Sequence, residues 1–235
     1  MGELRARPGA TAPRGRRPAL AAFDREHPGA RHLAIGVDTT DGAIGEAGEL
    51  HATGADTSVA CVLTARSLRA PPRPAAAVIR PLRSDEDWRQ AAGLRIAVAH
   101  AEGNAGAAHL TFLRRSVEEA RRLAGQGHGW RFGAFVDGQV RSSLGVVLDE
   151  RGLARYQVVE THPEHRRRGL AGTLVYRAGL HALRAGARRL VIVADRDGDA
   201  IGVYRSVGFR RREHQVALEA AERRLEPPQA RGLRE

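Results

Sequence analysis

Three prolines within residues 71–74 constrain the folding of this chain more than any other feature. Proline has no backbone N–H and a fixed φ, so this run excludes a helix interior and a central strand. We therefore predict that residues 71–77 form a semi-rigid linker between two folded units. The two ends, residues 1–19 and 223–235, are rich in arginine and proline and are predicted to be a disordered arm and tail.

The composition between these ends is that of a globular protein. Apolar residues make up 42% of the 235 residues, which is enough for one ordinary core or two small ones. The single cysteine, Cys61, excludes an internal disulfide and a zinc site made of several cysteines. No apolar run approaches the roughly 18 residues of a membrane span. We expect a cytoplasmic protein with no membrane partner.

The net charge of +11 comes from 38 basic and 27 acidic side chains, and every basic one is arginine. Such a balance favours anionic partners. Lysine also binds phosphate, so its complete absence indicates a compositional bias behind most of this charge. With only 10 aromatic residues and no recognised nucleic-acid-binding motif, nucleic acid is not expected as a partner.

After the linker, the spacing of apolar residues and the turn signals predict secondary-structure elements in the order β α α β β β α β α β. Strands are predicted at 78–82, 130–136, 140–148, 154–161, 189–194 and 209–218. Helices are predicted after an N-cap at Ser84 and at 108–123, 170–184 and 199–206. The second helix is expected to bury Phe112, Ser116, Ala120 and Leu123, and Asp137-Gly138 predicts a hairpin. The predicted fold class is α+β, with a mixed, mostly antiparallel sheet flanked by helices.

A polar, glycine-containing turn joins the predicted strand ending at Thr161 to the next helix. The first amides of a helix have no internal partner, and the helix dipole makes this end attractive to anions. Glycine and other small residues let a phosphate approach the backbone, and neighbouring arginines add positive charge. The residues predicted to bind a pyrophosphate are Arg166, Arg167, Arg168, Gly169, Leu170, Ala171 and Gly172.

The pattern of residues 166–171, Arg-x-x-Gly-x-(Gly or Ala), also occurs at residues 122–127. That copy follows a predicted helix and opens a strand, so its amides would face no phosphate. We interpret it as a helix C-terminal turn. The copy at 166–171 lies between a predicted strand and a predicted helix, and this context, not the motif alone, supports it as the pyrophosphate site.

Residues 78–218 resemble the GNAT (Gcn5-related) N-acetyltransferase superfamily. Arg166–Ala171 matches the family's Q/R-x-x-G-x-G/A loop, and residues 197–200 and 204–209 resemble its N-x-x-A and Y-x-x-x-G-F patterns. The resemblance implies a GNAT domain over residues 78–222, with acetyl-CoA as cosubstrate and no metal.

The family pattern often has asparagine where this chain has Asp197. A carboxylate at this position could accept a hydrogen bond from a pantetheine amide but could not donate one.

The resemblance also implies direct transfer of acetyl from CoA to an amine. Backbone groups near Val159 and Thr161 would receive the pantetheine arm, and an amide there could polarise the thioester carbonyl. Tyr204 would protonate the departing thiolate, the alternative being a tyrosine that only fills the core.

The amine must lose a proton, and Glu160 is the first candidate for the base, followed by His162 and His100. Strand alternation places Glu160 on the opposite face from Val159 and Thr161. An ion-paired or solvated Glu160 without a catalytic role is the alternative.

Residues 20–70 are too few for a good core of their own. Aligned at an offset of 157, residues 29–45 and 186–202 agree at nine of 17 positions. A short helix around Leu50 and a strand at 59–63 would repeat the C-terminal order. We hypothesise a partial GNAT-like half unit, βαβ-like in order and without a phosphate loop, the alternative being an unrelated βαβ extension.

The function predicted from these observations is an N-acetyltransferase acting on a small-molecule or peptide amine. A non-catalytic GNAT-like module, for acyl-CoA binding or for interaction, is the alternative. The acceptor is not specified by the sequence, and a homodimer is left open as a partner.

Overall fold

The structure, a computed structural model, describes residues 4–5, 22–30, 32–43 and 55–220. The chain divides into two compact units. The smaller unit comprises residues 1–61 and 213–235, and the larger unit comprises residues 62–212.

The elements follow the predicted order from residue 78 onward. The strands are β1 (Leu4–Arg5), β2 (Leu33–Val37), β3 (Asp56–Ala65), β4 (Val78–Pro81), β5 (Gly129–Val136), β6 (Gln139–Leu148), β7 (Leu153–Thr161), β8 (Arg189–Asp195) and β9 (Arg210–Ala220). The helices are α1 (22–26), α2 (Asp85–Ala101), α3 (Ala107–Gly125), α4 (Leu170–Arg184) and α5 (Ala200–Ser206), with a 3-10 turn at Pro163–His165. Among the described residues, none of these helices is long and apolar enough to cross a membrane.

The sheet of the larger unit has the order β8-β7-β6-β5-β4. Its neighbours pair antiparallel from β4 to β7, and β7 pairs parallel with β8. Asp137 and Gly138 have φ values of 50° and 74°, as the predicted hairpin between β5 and β6 requires. The predicted α+β class with a mixed, mostly antiparallel sheet is confirmed.

A capping box at Ser84 and Asp87 fixes the start of α2. The Ser84 hydroxyl accepts from the Asp87 amide, and the Asp87 carboxylate accepts from the amides of Arg83 and Ser84. Arg80 donates to both Asp87 oxygens, at 2.6 and 2.9 Å. The side chain of Asp87 is 6% exposed and that of Arg80 is 39% exposed, so β4 and α2 are joined by a half-buried ion pair.

We expect Asp87→Ala to lower the free energy of unfolding by about 2 kcal/mol, because it removes a cap and the carboxylate partner of the part-exposed Arg80. The hydrogen bond from Arg80 holds the pKa of Asp87 well below its usual range. Its stabilisation is therefore present above the unfolded-state pKa of about 3.9 and is lost as the pH falls towards the folded-state value. Denaturant unfolding at several pH values measures this, and Asp85→Ala is the control, because Asp85 is 79% exposed.

The packed face of α3 differs from the predicted one. Phe112 is 38% exposed, whereas Leu113 and Val117 are buried. Ala120 and Ala124 continue this stripe against the core that contains Trp88. The prediction of Phe112 as a core residue was wrong because the buried stripe runs one residue further along the helix.

Helix α4 has the predicted boundaries, and all four residues of its predicted apolar stripe, Leu170, Leu174, Ala178 and Ala182, are buried. The Tyr156 hydroxyl of β7 donates to the Val175 carbonyl over 2.8 Å. These contacts hold the N-terminus of α4 at a fixed place beyond the end of β7.

In the smaller unit, β2 pairs antiparallel with residues 216–220 of β9, and Phe23, Leu33 and Leu218 form its core. Strand β2 also pairs parallel with β1, as β8 pairs with β7 in the larger unit. The hypothesis of a GNAT-like half at residues 20–70 stays a prediction.

Several of the predicted segments fall differently in the structure. Leu4–Arg5, within the predicted arm, form a short strand, while the rest of the arm up to residue 19, the helix around Leu50 and the tail at 223–235 lie outside the described residues. The division between the units falls after residue 61, and the predicted linker at 71–77 lies inside the larger unit.

Candidate active site

A groove of about 730 Å³ opens in the larger unit where β7 ends. The end of β7, the first turn of α4, helix α5 and the proline-rich segment all border it. Ten of the twelve predicted site residues line it, namely Val159, Glu160, Thr161, Arg166, Arg167, Gly169, Leu170, Ala171, Gly172 and Tyr204. Residues far apart in the sequence are therefore brought together in one groove.

Strand β7 opens away from β8 at this groove. The parallel register covers only Leu153–Arg155 of β7. Further along, the β6 pairing shifts, and Val158 has a left-handed φ of 46°. The bulge gives β7 an extra residue and re-aims the side chains that follow it. The backbone of 159–161 is thereby placed at the wall of the groove, free of a β8 ladder.

The N-terminus of α4 forms the next wall. Gly169 is the N-cap, and the amides of Leu170, Ala171 and Gly172 have no acceptor within a helix that starts here. Thr173 closes the first turn, because its amide and hydroxyl both donate to the Gly169 carbonyl, at 3.1 and 2.9 Å. Three amides without an acceptor inside the helix, together with the helix dipole, make this wall attractive to an anion.

The proline-rich segment covers the other side of this turn. The Ala75 amide donates to the Thr173 hydroxyl over 2.8 Å, and Pro71, Pro72 and Arg73 line the groove. The prolines prevent helix and sheet pairing here, but the segment packs on α4 and forms part of the site.

Two features of the structure, the backbone conformation and a close backbone contact, favour glycine at position 169. Its φ is 76°, in the left-handed region that favours glycine. A Cβ atom here would lie 2.6 Å from the carbonyl oxygen of Arg73. From the sequence, we predicted a glycine here because it would let a phosphate approach the backbone. The structure shows a further reason, since the close approach of the Arg73 backbone leaves no room for a side chain at position 169.

Gly169→Ala is expected to destabilise the fold by about 1–2 kcal/mol through its left-handed φ alone, and to weaken the pyrophosphate binding predicted for this turn, because the Arg73 contact must shift. Gly172→Ala is the matched control, since a Cβ there would make ordinary contacts at 3.5 Å with Val203 and 3.8 Å with Pro71. Thermal unfolding and calorimetry measure both quantities. Equal behaviour of the two variants would contradict the assigned role of Gly169.

Two of the three predicted arginines line the groove. Arg166 donates to Glu102 over 3.1 Å and to the Thr161 carbonyl over 3.4 Å, so it is held at the end of β7. Arg167 has a left-handed φ of 64° and also lines the groove. Arg168 is exposed and is not among the lining residues.

The second copy of the motif is a helix end, as predicted. Helix α3 ends at Gly125, and Gly127 has a φ of 81°. Arg122 donates to Glu119 and to Gln126. Its guanidinium is thus engaged by neighbours on the same helix end.

Tyr204 is 5% exposed and lines the groove from α5. Its ring packs near Phe209, with the centroids 6.4 Å apart. Burial raises the pKa of the Tyr204 hydroxyl to about 12. The phenol therefore stays protonated at neutral pH, as a proton donor must.

Glu160 lies at the groove between two arginines. Its Oε1 is 3.5 Å from Arg95 Nε, and its Oε2 is 3.7 Å from Arg131 Nη2. Burial raises the pKa of Glu160, although both arginines act in the opposite direction. The result is a mostly buried carboxylate with a greater proton affinity than an exposed one.

Other predicted residues lie elsewhere. Asp197 is in an exposed turn, where its amide donates to Asp195, and Asp199 lines the groove instead. His100 is exposed, and neither it nor His162 is among the groove-lining residues.

Sequence reasoning missed several lining residues, among them Pro71, Pro72, Val98, His165 and Val203. The double proline offered a signal, but it was interpreted only as a break between elements. The others come from α2, the 3-10 turn and α5, and only tertiary packing brings them together.

Comparisons with known proteins place this arrangement among related folds. Residues 135–218 match the family model described as FR47-like protein. No curated protein matches the chain by sequence.

Three solved structures resemble the chain over most of its length. A functionally unknown conserved protein from Staphylococcus epidermidis has a TM-score of 0.66 at 14% identity, covering 87% of this chain and 80% of that one. A GCN5-related N-acetyltransferase from Sphaerobacter thermophilus has a TM-score of 0.61 at 16% identity, with coverages of 86% and 64%. A tandem GNAT protein from the clavulanic acid biosynthesis pathway has a TM-score of 0.57 at 19% identity, with coverages of 86% and 67%. At these identities the likenesses show the fold.

Proposed function

We propose that this chain, a member of the GNAT superfamily, is an N-acetyltransferase that transfers acetyl from acetyl-CoA to a primary amine. One observation carries the proposal. A single groove joins the opened end of β7, the first turn of α4 and the buried Tyr204. These are the parts needed to hold a thioester, to bind its pyrophosphate and to protonate its leaving group.

The residues that line the groove are suited to binding acetyl-CoA, the acetyl donor. The amides of Leu170, Ala171 and Gly172 at the start of α4 would donate to an anion in the groove, and Arg166 and Arg167 add positive charge. The extended backbone at 159–161 offers hydrogen-bonding groups to the amides of the pantetheine arm. An amide N–H in this stretch would also stabilise negative charge on the thioester oxygen.

The transfer requires two proton movements. The neutral amine attacks the thioester carbonyl, forming a C–N bond as the C–S bond breaks. Glu160 accepts the proton that the amine nitrogen loses, and Tyr204 gives its proton to the departing sulfur. The two side chains are then restored by a proton exchange with solvent, since one has gained a proton and the other has lost one.

Two measurements separate an enzyme from a non-catalytic acyl-CoA-binding module. Calorimetry with acetyl-CoA is expected to show binding, and binding is expected to weaken for acetyl-pantetheine, which lacks the pyrophosphate. Thiol release from acetyl-CoA over a panel of amines is expected to rise with at least one amine. Binding without amine-dependent thiol release would support the module, and no binding would refute both.

A further inference from the structure

A second cavity, of about 270 Å³, lies between the sheet of the larger unit and the helices α2 and α3. Its walls are mostly apolar and include Ala120, Leu123, Ala124, Trp130, Val146 and Val147. Arg95 of α2 and Arg131 of β5 also line it, as does Glu119 of α3, whose carboxylate is paired with Arg122. We call this the helix-side cavity. Since both arginines contact Glu160, which lines the groove, the helix-side cavity adjoins the groove through that carboxylate.

The charges at this junction are buried and incompletely paired. The side chains of Arg131, Arg95 and Glu160 are 4%, 10% and 13% exposed. Arg131 Nε donates to the Ser143 hydroxyl over 3.0 Å. Arg131 Nη2, Arg95 Nε and Glu160 Oε2 are buried without a hydrogen-bond partner in the described part of the chain.

The junction holds two positive charges and one negative charge. A buried donor without an acceptor costs free energy, and a buried charge costs more unless it is paired. Burial is the main cause that lowers the pKa of Arg131, to about 10, but the guanidinium stays charged at neutral pH. An additional anion would therefore balance the excess positive charge and could accept from Arg95 Nε and Arg131 Nη2, which lie 3.5 and 3.7 Å from Glu160 without a hydrogen bond to it.

We propose that the helix-side cavity binds the carboxylate of the acetyl acceptor through Arg95 and Arg131, and that the acceptor is an α-amino acid with an apolar side chain. The inference rests on the proposed transferase function. It adds that the acceptor carries an anionic group beside its reacting amine.

The arrangement of charges fits such a molecule. In an α-amino acid a single carbon separates the amine from the carboxylate. Glu160 and the two arginines are similarly adjacent, with 3.5 and 3.7 Å between their charged atoms. A carboxylate at the arginines places the amine beside Glu160, and the apolar side chain then lies against Leu123 and Trp130.

The test compares amines that differ only in the carboxylate. Leucine, leucine amide and 3-methylbutylamine are assayed by thiol release, and the other apolar amino acids are assayed with their own amide and decarboxylated partners. We expect kcat/KM at least about tenfold higher for the acid in at least one set. The amide has the more readily deprotonated amine, so without carboxylate binding it would react at least as fast.

Arg131→Met and Arg95→Met are expected to abolish this preference while acetyl-CoA binding persists. Arg89→Met on the same helix is the control, because the Arg89 side chain is 72% exposed. If an arginine variant does not fold, inhibition of the wild-type protein by 4-methylpentanoate, the leucine skeleton without its amine, takes its place. Competition between this acid and the acceptor amine is expected.

The outcomes separate the two proposals. Turnover of amines with no preference for the acid, or no competition by 4-methylpentanoate, would overturn this inference and leave the transferase function standing. If no amine is turned over, calorimetric binding of an apolar amino acid that is lost in Arg131→Met would support the cavity as a carboxylate site. Absence of that binding would overturn it.

Discussion

Tyr204→Phe is expected to lower kcat about 100-fold or more while acetyl-CoA binding stays unchanged. General acid catalysis contributes about 10²- to 10⁴-fold, and phenylalanine keeps the ring that packs beside Phe209. Only the proton for the leaving thiolate is removed. Stopped assays of thiol release give kcat, and calorimetry gives the affinity for acetyl-CoA.

The pH dependence sharpens this prediction. An exposed tyrosine ionises near pH 10, whereas burial raises the pKa of Tyr204 to about 12. The rate of the wild-type protein should therefore not fall between about pH 9 and pH 10.5 through loss of the Tyr204 proton. Tyr176→Phe, at a half-buried tyrosine of α4, is the matched control and should keep full activity. Unchanged turnover in Tyr204→Phe would remove this residue from the mechanism.

Glu160→Gln is expected to reduce kcat/KM by about 100-fold or more, because the amine loses its proton acceptor. Glutamine keeps the size of the side chain but leaves Arg95 and Arg131 without their carboxylate. Thermal unfolding of the variant therefore accompanies the kinetic assay. Glu164→Gln, at an exposed glutamate of the 3-10 turn, is the control.

The pH profile distinguishes a base from a structural ion pair. A base acts only when deprotonated, so the rate of the wild-type protein falls as the pH drops through the Glu160 pKa. Burial raises that pKa, so the fall is centred above the range of an exposed glutamate. Glu160→Gln should lack this limb. A variant that retains the limb with reduced stability would show that Glu160 serves only the arginine cluster.

Local signals predicted much of the fold. The apolar stripe from Leu170 to Ala182 gave the bounds of α4, and Asp137-Gly138 gave the hairpin, because both patterns reflect interactions between near neighbours. The turn between β7 and α4 was also recognisable, since a strand, a glycine and a helix start follow one another directly; its binding of a pyrophosphate stays a prediction. The copy at Arg122 was distinguished by the same local context.

The features that the sequence did not reveal depend on packing between residues that are distant in the sequence. The contact of Arg73 with Gly169 joins residues almost a hundred positions apart, and no local pattern encodes it. Arg131 alternates with aromatic residues on β5 and looks like an outward-facing charge, yet α2 and α3 bury it beside Glu160. The bulge at Val158 likewise depends on the β6 pairing.

The most direct test of the transferase function measures both products of one reaction. The wild-type protein is incubated with acetyl-CoA and the amine panel, and free thiol and acetylated amine are quantified together. We expect equal amounts of the two products, formed only with an amine present, and loss of both in Tyr204→Phe. Thiol release without an acetylated amine, or no release with any amine, would contradict it.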